Sequence, residues 1–163
     1  MRILTIVLLA CLGIASAHAA DWKLKKDADG IKVYVRNVNG SEFRSFRGVT
    51  DVNTSLHTLI AVHKDGEMVR QWLKDCEKSE FISAFDPAGY LMYFRTSAPW
   101  PVKDRDYVLR YKLEQDPVTR MVTLSFTGEG RLLPEQKDCV RVSTINGAWR
   151  MTPLAGGFVH IEY

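Results

Sequence analysis

The chain has 163 residues, of which 46% are hydrophobic and 25% are charged, proportions typical of a single globular domain. Its net charge of +3 arises from 22 basic and 19 acidic residues, which are scattered and form no run of five or more like charges. This pattern argues against the concentrated basic surface of a nucleic-acid-binding protein, so no nucleic-acid partner is expected.

The N-terminus has the pattern of a signal peptide. Arg2 precedes a 12-residue apolar segment at residues 3–14, and Ala17-His18-Ala19 fits the small-x-small cleavage rule. Twelve apolar residues are too few to span a bilayer. Lipid modification at Cys11 is an alternative, although few residues precede that cysteine. We expect cleavage after Ala19, a mature domain at residues 20–163, and a periplasmic or secreted location.

Two cysteines, Cys76 and Cys139, remain after removal of the signal peptide. In an oxidising compartment two thiols can form a disulfide, whereas two free buried thiols are also common. Pairing requires a geometry that the sequence does not show, so both alternatives stay open.

The mature chain begins with residues 21–26, which fit either a short helix or an extended segment. Apolar side chains then alternate over residues 31–36 and 43–49, with turn residues between the two segments. Alternation of this kind predicts a β-hairpin.

A helical pattern follows the predicted hairpin. Leu56, Leu59 and Ile60 have the spacing of one helix face, and a second apolar face covers residues 68–73. Lys64-Asp65-Gly66 interrupts the pattern between them. We therefore predict two short helices between residues 52 and 75.

The rest of the chain has the pattern of strands joined by turns. Residues 139–152 are predicted to form one long strand with a bulge at Asn146-Gly147. With about eight strands and two early helices, the expected fold class is α+β with one antiparallel sheet. Two short helices are too small to cover such a sheet, so either a further covering element is missing or the concave apolar face is left open. The other predicted strands cover residues 80–85, 90–96, 107–114, 121–127 and 158–163.

Motifs of nucleotide binding, zinc hydrolysis and serine catalysis do not occur in the sequence. His57, His63 and His160 lack the spacing of metal ligands, and we interpret them as core-edge or surface residues. We therefore expect no catalytic residue, no metal and no cofactor, and the chain is not predicted to be an enzyme.

One segment is more specific than the rest. Residues 98–108 contain two prolines around Trp100, followed by Arg105, Asp106, an aromatic residue and valine. This order resembles the Pro…Arg-Asp-aromatic-Val signature of START domains, the steroidogenic-acute-regulatory-protein-related lipid-transfer family. The resemblance extends over essentially the whole mature chain and is closest to bacterial secreted members, through similar segments at residues 72–76, 147–153 and 158–163.

The resemblance implies a helix-grip fold, in which a curved antiparallel sheet wraps a long C-terminal helix around an apolar tunnel. It also implies binding of one lipid or other hydrophobic small molecule, possible lipid transfer, transient membrane contact and no cofactor. The family's C-terminal helix is missing from this sequence, so a truncated domain is expected. Two alternatives remain: an enzyme of the polyketide cyclase or aromatase type on the same scaffold, and a truncated module that binds no ligand.

The resemblance also suggests ligand-binding residues. Arg95 is expected to direct a cation into the tunnel, with a solvated strand face as the alternative. Trp100 is expected to anchor the corner near the tunnel. Asp104, Arg105 and Asp106 are expected to brace the corner by pairing with one another or with neighbouring backbone. The remaining candidates are inward-facing strand residues, for which core packing is an equally good interpretation: Tyr107, Leu109, Tyr111, Phe126 and Trp149, with Val122, Leu124 and Met151 beside them.

Overall fold

The computed structural model describes residues 21–163, so the predicted signal peptide and Cys11 lie outside the described part of the chain. Ten strands and two α-helices make up this part, with a short 3-10 turn at Ala155–Gly157. In chain order they are β1 (Lys23–Ala28), β2 (Ile31–Asn37), β3 (Arg44–Asn53), α1 (Leu56–Lys64), α2 (Gly66–Trp72), β4 (Cys76–Asp86), β5 (Gly89–Thr96), β6 (Asp104–Gln115), β7 (Val122–Gly128), β8 (Cys139–Arg141), β9 (Asn146–Pro153) and β10 (Phe158–Glu162).

All ten strands belong to one curved sheet, whose order is β1-β2-β3-β10-β9-β7-β6-β5-β4. Neighbouring strands along this path are antiparallel, and β8 adds a short parallel pairing to the start of β6. The predicted α+β class with an antiparallel sheet and two short early helices is therefore confirmed. No helix follows β10 within residues 21–163.

The N-terminal segment, which the sequence left open between helix and extended chain, is strand β1. It pairs with β2 from Lys23 opposite Val35 to Ala28 opposite Ile31. The connecting turn places Asp29 and Gly30 at φ values of 55° and 74°, a region that aspartate and glycine tolerate better than most residues. The two helices consequently follow the third strand rather than the second.

The two helices are joined by one shared capping residue. Asp65 ends α1 and begins α2, where its carboxylate accepts hydrogen bonds from the backbone N–H groups of Glu67 and Met68. Ser55 caps the start of α1 by accepting from the Thr58 N–H. The tight connection turns the apolar sides of both helices toward the sheet, where Val69 of α2 is buried.

The prediction of one long strand over residues 139–152 is wrong. The chain instead forms β8, leaves the sheet, and returns as β9 beside β7. The reason is a pair of anchors: Arg141 bonds to Asp106, and the Ile145 carbonyl accepts from the Gly128 N–H. Between these anchors, residues 142–145 belong to no strand.

Burial of the central strands follows the predicted alternation on the concave face. Val122, Leu124 and Met151 are each at most 2% exposed and form the floor of the core. On the opposite face of β6, Val108 is also buried, at 1% exposure. The segment after β7 covers it, with the Glu129 N–H donating to the Val108 carbonyl.

In the part of the chain that the structure describes, no helix has the length and hydrophobicity needed to cross a membrane.

Candidate functional site

A cavity of about 200 Å³ lies between the two helices and the concave face of the sheet. The helices supply one wall and strands β5, β6, β7 and β9 supply the other. Strand alternation places every second side chain on this face, so residues two apart on β6 line the cavity together. Its lining consists of His63, Val69, Trp72, Leu73, Phe94, Thr96, Tyr107, Leu109, Tyr111, Phe126, Ile145, Trp149 and Tyr163.

Aromatic rings form much of the cavity surface. Tyr111 and Phe126 have ring centroids 5.6 Å apart, and Phe126 and Tyr163 are stacked at 6.1 Å. Trp149 lies 4.4 Å from Tyr163 and 6.2 Å from Trp72, centroid to centroid. Rings this close support one another, so the sheet wall of the cavity, with Tyr111, Phe126, Trp149 and Tyr163, is flat and rigid.

The cavity lining is electrically neutral at ordinary pH. It contains no aspartate, glutamate, lysine or arginine. Burial raises the pKa of the Tyr111 and Tyr163 hydroxyls, so both stay protonated. Burial also lowers the pKa of His63, which favours the uncharged imidazole. Since a charged group gains nothing from such a lining and loses its hydration, the cavity suits an uncharged apolar molecule.

His63 is the most distinctive polar residue in the cavity wall. It lies in the last turn of α1, and its Nδ1 is 2.7 Å from the Leu59 carbonyl oxygen. Its ring meets Trp149 edge-on with centroids 4.7 Å apart. The interpretation of His63 as a core-edge residue agrees with this position, but its place in the cavity was not predicted.

Five of the seven predicted ligand-binding residues line this cavity. Tyr107, Leu109 and Tyr111 come from β6, Phe126 from β7 and Trp149 from β9. The structure therefore brings them together as expected, and direct contact with a ligand stays a prediction for each. Val122, Leu124 and Met151 are packed in the core beneath the cavity and do not line it.

Arg95 lies outside the cavity, which corrects its expected position. Its neighbour Phe94 lines the cavity, so alternation turns Arg95 to the other face of β5. There its guanidinium donates to Asp104 at 2.7 Å and lies 2.8 Å from Asp138 and 3.4 Å from Glu77. The hydrogen bond from Arg95 lowers the pKa of Asp104. The geometry assigns Arg95 to an ion-pair network rather than to the cavity.

Trp100 also lies outside the cavity. Its side chain is 92% exposed at the tip of the β5–β6 connection, and the neighbouring Val102 is 48% exposed. The prediction that Trp100 anchors the corner near the tunnel is therefore wrong, and Trp100 forms an exposed apolar tip.

The charges after Trp100 bond to neighbouring backbone within the corner, where the Asp104 carboxylate accepts from the Ala98 N–H at 3.1 Å. The Arg105 guanidinium donates only to the Lys103 carbonyl among the described residues. Asp106 instead forms a two-fold hydrogen-bonded pair with Arg141, at 3.0 Å and 2.8 Å. Both side chains are buried, and Arg141 also donates to the backbone carbonyls of Gly130, Leu133 and Pro134. The brace is the Asp106–Arg141 pair.

Cys76 and Cys139 are free thiols. Cys76 on β4 lies opposite Thr96 on β5, and Thr96 lies opposite Arg105 on β6. Cys139 lies on β8, on the other side of β6. The two cysteines are thus three strands apart, a separation of about 14 Å. A disulfide needs Cα atoms within about 7 Å, so this fold does not allow the pair to form one.

A second, open cleft of about 820 Å³ adjoins the cavity between β3 and β9. Phe126, Ile145 and Tyr163 line both. The cleft also contains Arg47 and Arg150, whose guanidinium groups approach Glu162 at 3.6 Å and 2.9 Å. Its width and mixed polarity make it less suited than the cavity to enclosing an apolar molecule.

Metal chemistry finds no support in the described residues. No group of three or more histidine, cysteine, aspartate or glutamate side chains could hold a metal ion within residues 21–163. His57 is exposed on α1, and His160 pairs with Asp51 at 2.5 Å on the face of the sheet away from the cavity.

Several lining residues were missed from the sequence. Phe94 and Thr96 belong to the alternation of β5 and could have been found by extending the face of Leu109 and Tyr111 to the neighbouring strand. Ile145 and Tyr163 have no such signal in the sequence. Ile145 reaches the cavity because its carbonyl is bonded to the Gly128 N–H, and Tyr163 because its backbone pairs with Gly48.

Known proteins similar to this chain agree with the fold. A lipid-transfer protein related to STAR from Xanthomonas axonopodis superposes with a TM-score of 0.82 at 37% identity, over 87% of this chain and 78% of that chain. An uncharacterised Pseudomonas aeruginosa protein is 32% identical over 161 residues, 98% of this chain and 79% of the relative. Human StAR-related lipid transfer protein 5 shares the fold at 19% identity, with a TM-score of 0.76 over 90% of this chain and 71% of that chain.

The START domain family matches residues 11–162. The curved sheet and the two short early helices match the helix-grip arrangement. The chain belongs to the START domain family.

Proposed function

We propose that the chain binds one lipid or other hydrophobic small molecule, without covalent chemistry, in the cavity between α1–α2 and the sheet. The observation that carries this proposal is the neutral, aromatic lining of a cavity of about 200 Å³. Removing apolar ligand surface from water contributes roughly 25 cal/mol per Å², and the fixed rings lose little entropy when a ligand binds.

The names of similar proteins support the same role. The Xanthomonas axonopodis relative is described as a lipid transfer protein and is 37% identical to this chain. We also propose that the chain transfers the bound lipid between membranes. The proposal involves no covalent step and no cofactor.

The test is binding of the neutral fluorescent probe N-phenyl-1-naphthylamine to the wild-type chain and to Thr96→Trp. Thr96 lines the cavity, so an indole at this position fills the space that a ligand would occupy. Thr123→Trp is the matched control because Thr123 lies on β7 between the buried Val122 and Leu124 and faces away from the cavity. We expect saturable one-to-one binding to the wild type and the control, and loss of binding in Thr96→Trp. Equal binding by all three chains would place the probe elsewhere.

We further propose that the β5–β6 tip makes a transient membrane contact. Trp100 is 92% exposed, and tryptophan favours the boundary between the lipid headgroups and the hydrocarbon. Trp100→Ala should lower partitioning onto lipid vesicles roughly tenfold. Phe43→Ala is the control because Phe43 is also an exposed aromatic, at 83%, on a different connection. If both variants lose the same affinity, the contact is not specific to this tip.

Export of the chain is also part of the proposal, on the basis of the sequence pattern at residues 1–19. Cell fractionation with intact-mass measurement tests it: a periplasmic or secreted product should begin after Ala19. A product that retains these residues in the cytoplasm would contradict it.

A further inference from the structure

The Nε2 atom of His63 is a buried polar atom that has no hydrogen-bond partner among the described residues. Whether Nε2 carries a proton follows from the hydrogen bond of the other ring nitrogen, Nδ1. A backbone carbonyl can only accept, so Nδ1 carries the proton that it donates to Leu59. With the imidazole neutral, Nε2 is left as a bare acceptor in the cavity wall. Buried acceptors without a donor are uncommon and call for an explanation.

Two indole rings pack against the His63 ring without donating a hydrogen bond to this acceptor. Trp72 and Trp149 have centroids 5.3 Å and 4.7 Å from the His63 ring, and neither indole N–H bonds to Nε2 in the described structure. Trp149 is fixed by Tyr163, whereas Trp72 is 41% exposed at the end of α2. Because Nε2 is shielded from solvent, a donor reaches it only if a neighbouring ring moves, and the exposed Trp72 has the more room to do so.

The size and shape of the cavity limit the kind of molecule that can bring a hydrogen-bond donor to Nε2. About 200 Å³ is less than the roughly 300–1,000 Å³ of pockets that enclose drug-sized ligands. Seven of the thirteen lining residues are phenylalanine, tyrosine or tryptophan. The flat, rigid sheet wall packs most closely against another flat ring.

We propose that the cavity recognises a small, flat, uncharged ring compound that carries a hydroxyl group, and that the hydroxyl donates a hydrogen bond to His63 Nε2. The inference rests on the proposed function, because it names the ligand chemistry of the same cavity. The ring packs against Tyr111, Phe126 and Trp149, while the hydroxyl supplies the missing donor. A ligand with a hydroxyl donor pairs Nε2, whereas a ligand without one leaves it unpaired, and this difference is the source of discrimination.

The experiment compares 2-naphthol with 2-methoxynaphthalene, which has the same ring system but no donor. Each compound displaces N-phenyl-1-naphthylamine from the wild type, from His63→Phe and from His57→Phe. His57 is the matched control because it is an exposed histidine on the same helix. We expect 2-naphthol to bind the wild type and His57→Phe about fivefold to tenfold more tightly than the ether, and His63→Phe to bind both compounds equally.

Two outcomes overturn the inference: equal binding of both compounds by the wild type, and a preference for 2-naphthol that survives in His63→Phe. The proposed function stands in either case as long as the compounds bind, and it fails separately if none of the probes binds. Because His63→Phe could disturb the fold, the side-chain ¹⁵N resonance of Nε2 is also followed in the wild type. It should shift with 2-naphthol and not with the ether, and the absence of a difference contradicts the assignment.

Discussion

Replacement of Asp106 by asparagine tests whether the corner after Trp100 is structural. The Asp106 side chain is 0% exposed and that of Arg141 is 4% exposed, so water does not screen the pair. Asparagine keeps the size of the side chain and removes its charge, which leaves the Arg141 guanidinium buried and only partly compensated. Loss of one partner from a buried, hydrogen-bonded ion pair costs about 3–5 kcal/mol. We expect the free energy of unfolding to fall by this amount.

The assay is urea unfolding at pH 7, with Arg105→Ala as the control. Arg105 makes only a local bond to Lys103 within the described chain, so its loss should cost less than about 0.5 kcal/mol. In an Arg141→Met background, Asp106→Asn should cost at least about 1 kcal/mol less than in the wild type, because the two changes remove one interaction. A cost below about 1 kcal/mol for Asp106→Asn alone would refute the reasoning. Arg105→Ala should also keep its binding of N-phenyl-1-naphthylamine. Loss of binding at unchanged stability would show that the corner contacts the ligand and would contradict its structural interpretation.

Three further predictions concern the cavity and its surroundings. His63 is uncharged in the fold, so below pH 6.5 the unfolded chain binds a proton that the folded chain does not, and stability should fall as the pH decreases; His63→Phe should flatten this slope in pH-dependent urea unfolding. Cys76 and Cys139 are free thiols, so a reductant should leave the melting temperature of the mature domain unchanged, and a lowered value would indicate a disulfide. Trp149→Ala removes the ring that joins His63 to Tyr163, and should cost about 3 kcal/mol and weaken probe binding, which calorimetry and fluorescence titration would measure.

Much of the sheet could be predicted because its strands alternate in hydrophobicity. The buried residues Leu109, Tyr111, Leu124 and Phe126 follow this alternation, and the structure places all of them on one face. The helices were predictable for a similar reason, since Leu56, Leu59 and Ile60 have helical spacing and pack against the core. Local pattern and long-range packing agree in these elements.

Two failures occur where distant residues decide the outcome, and a third occurs where a local pattern was overlooked. The long strand over residues 139–152 is divided by the bond between Arg141 and Asp106, a separation of 35 residues that no local pattern reveals. Arg95 is the overlooked case, because the alternation of β5 alone turns it away from the cavity, toward Asp104 and Asp138. His63 had no motif to identify it, because its role depends on Trp149, which arrives from a strand 86 positions later in the chain.

The central claim is that a hydrophobic molecule lies inside the cavity between the helices and the sheet. Nuclear Overhauser effects between bound N-phenyl-1-naphthylamine and assigned side chains measure this position directly. We predict effects from the probe to the rings of Tyr111, Phe126 and Trp149, which line the cavity together. Effects confined to the exposed Trp100, or to the cleft residues Phe43 and Phe46, would contradict the claim.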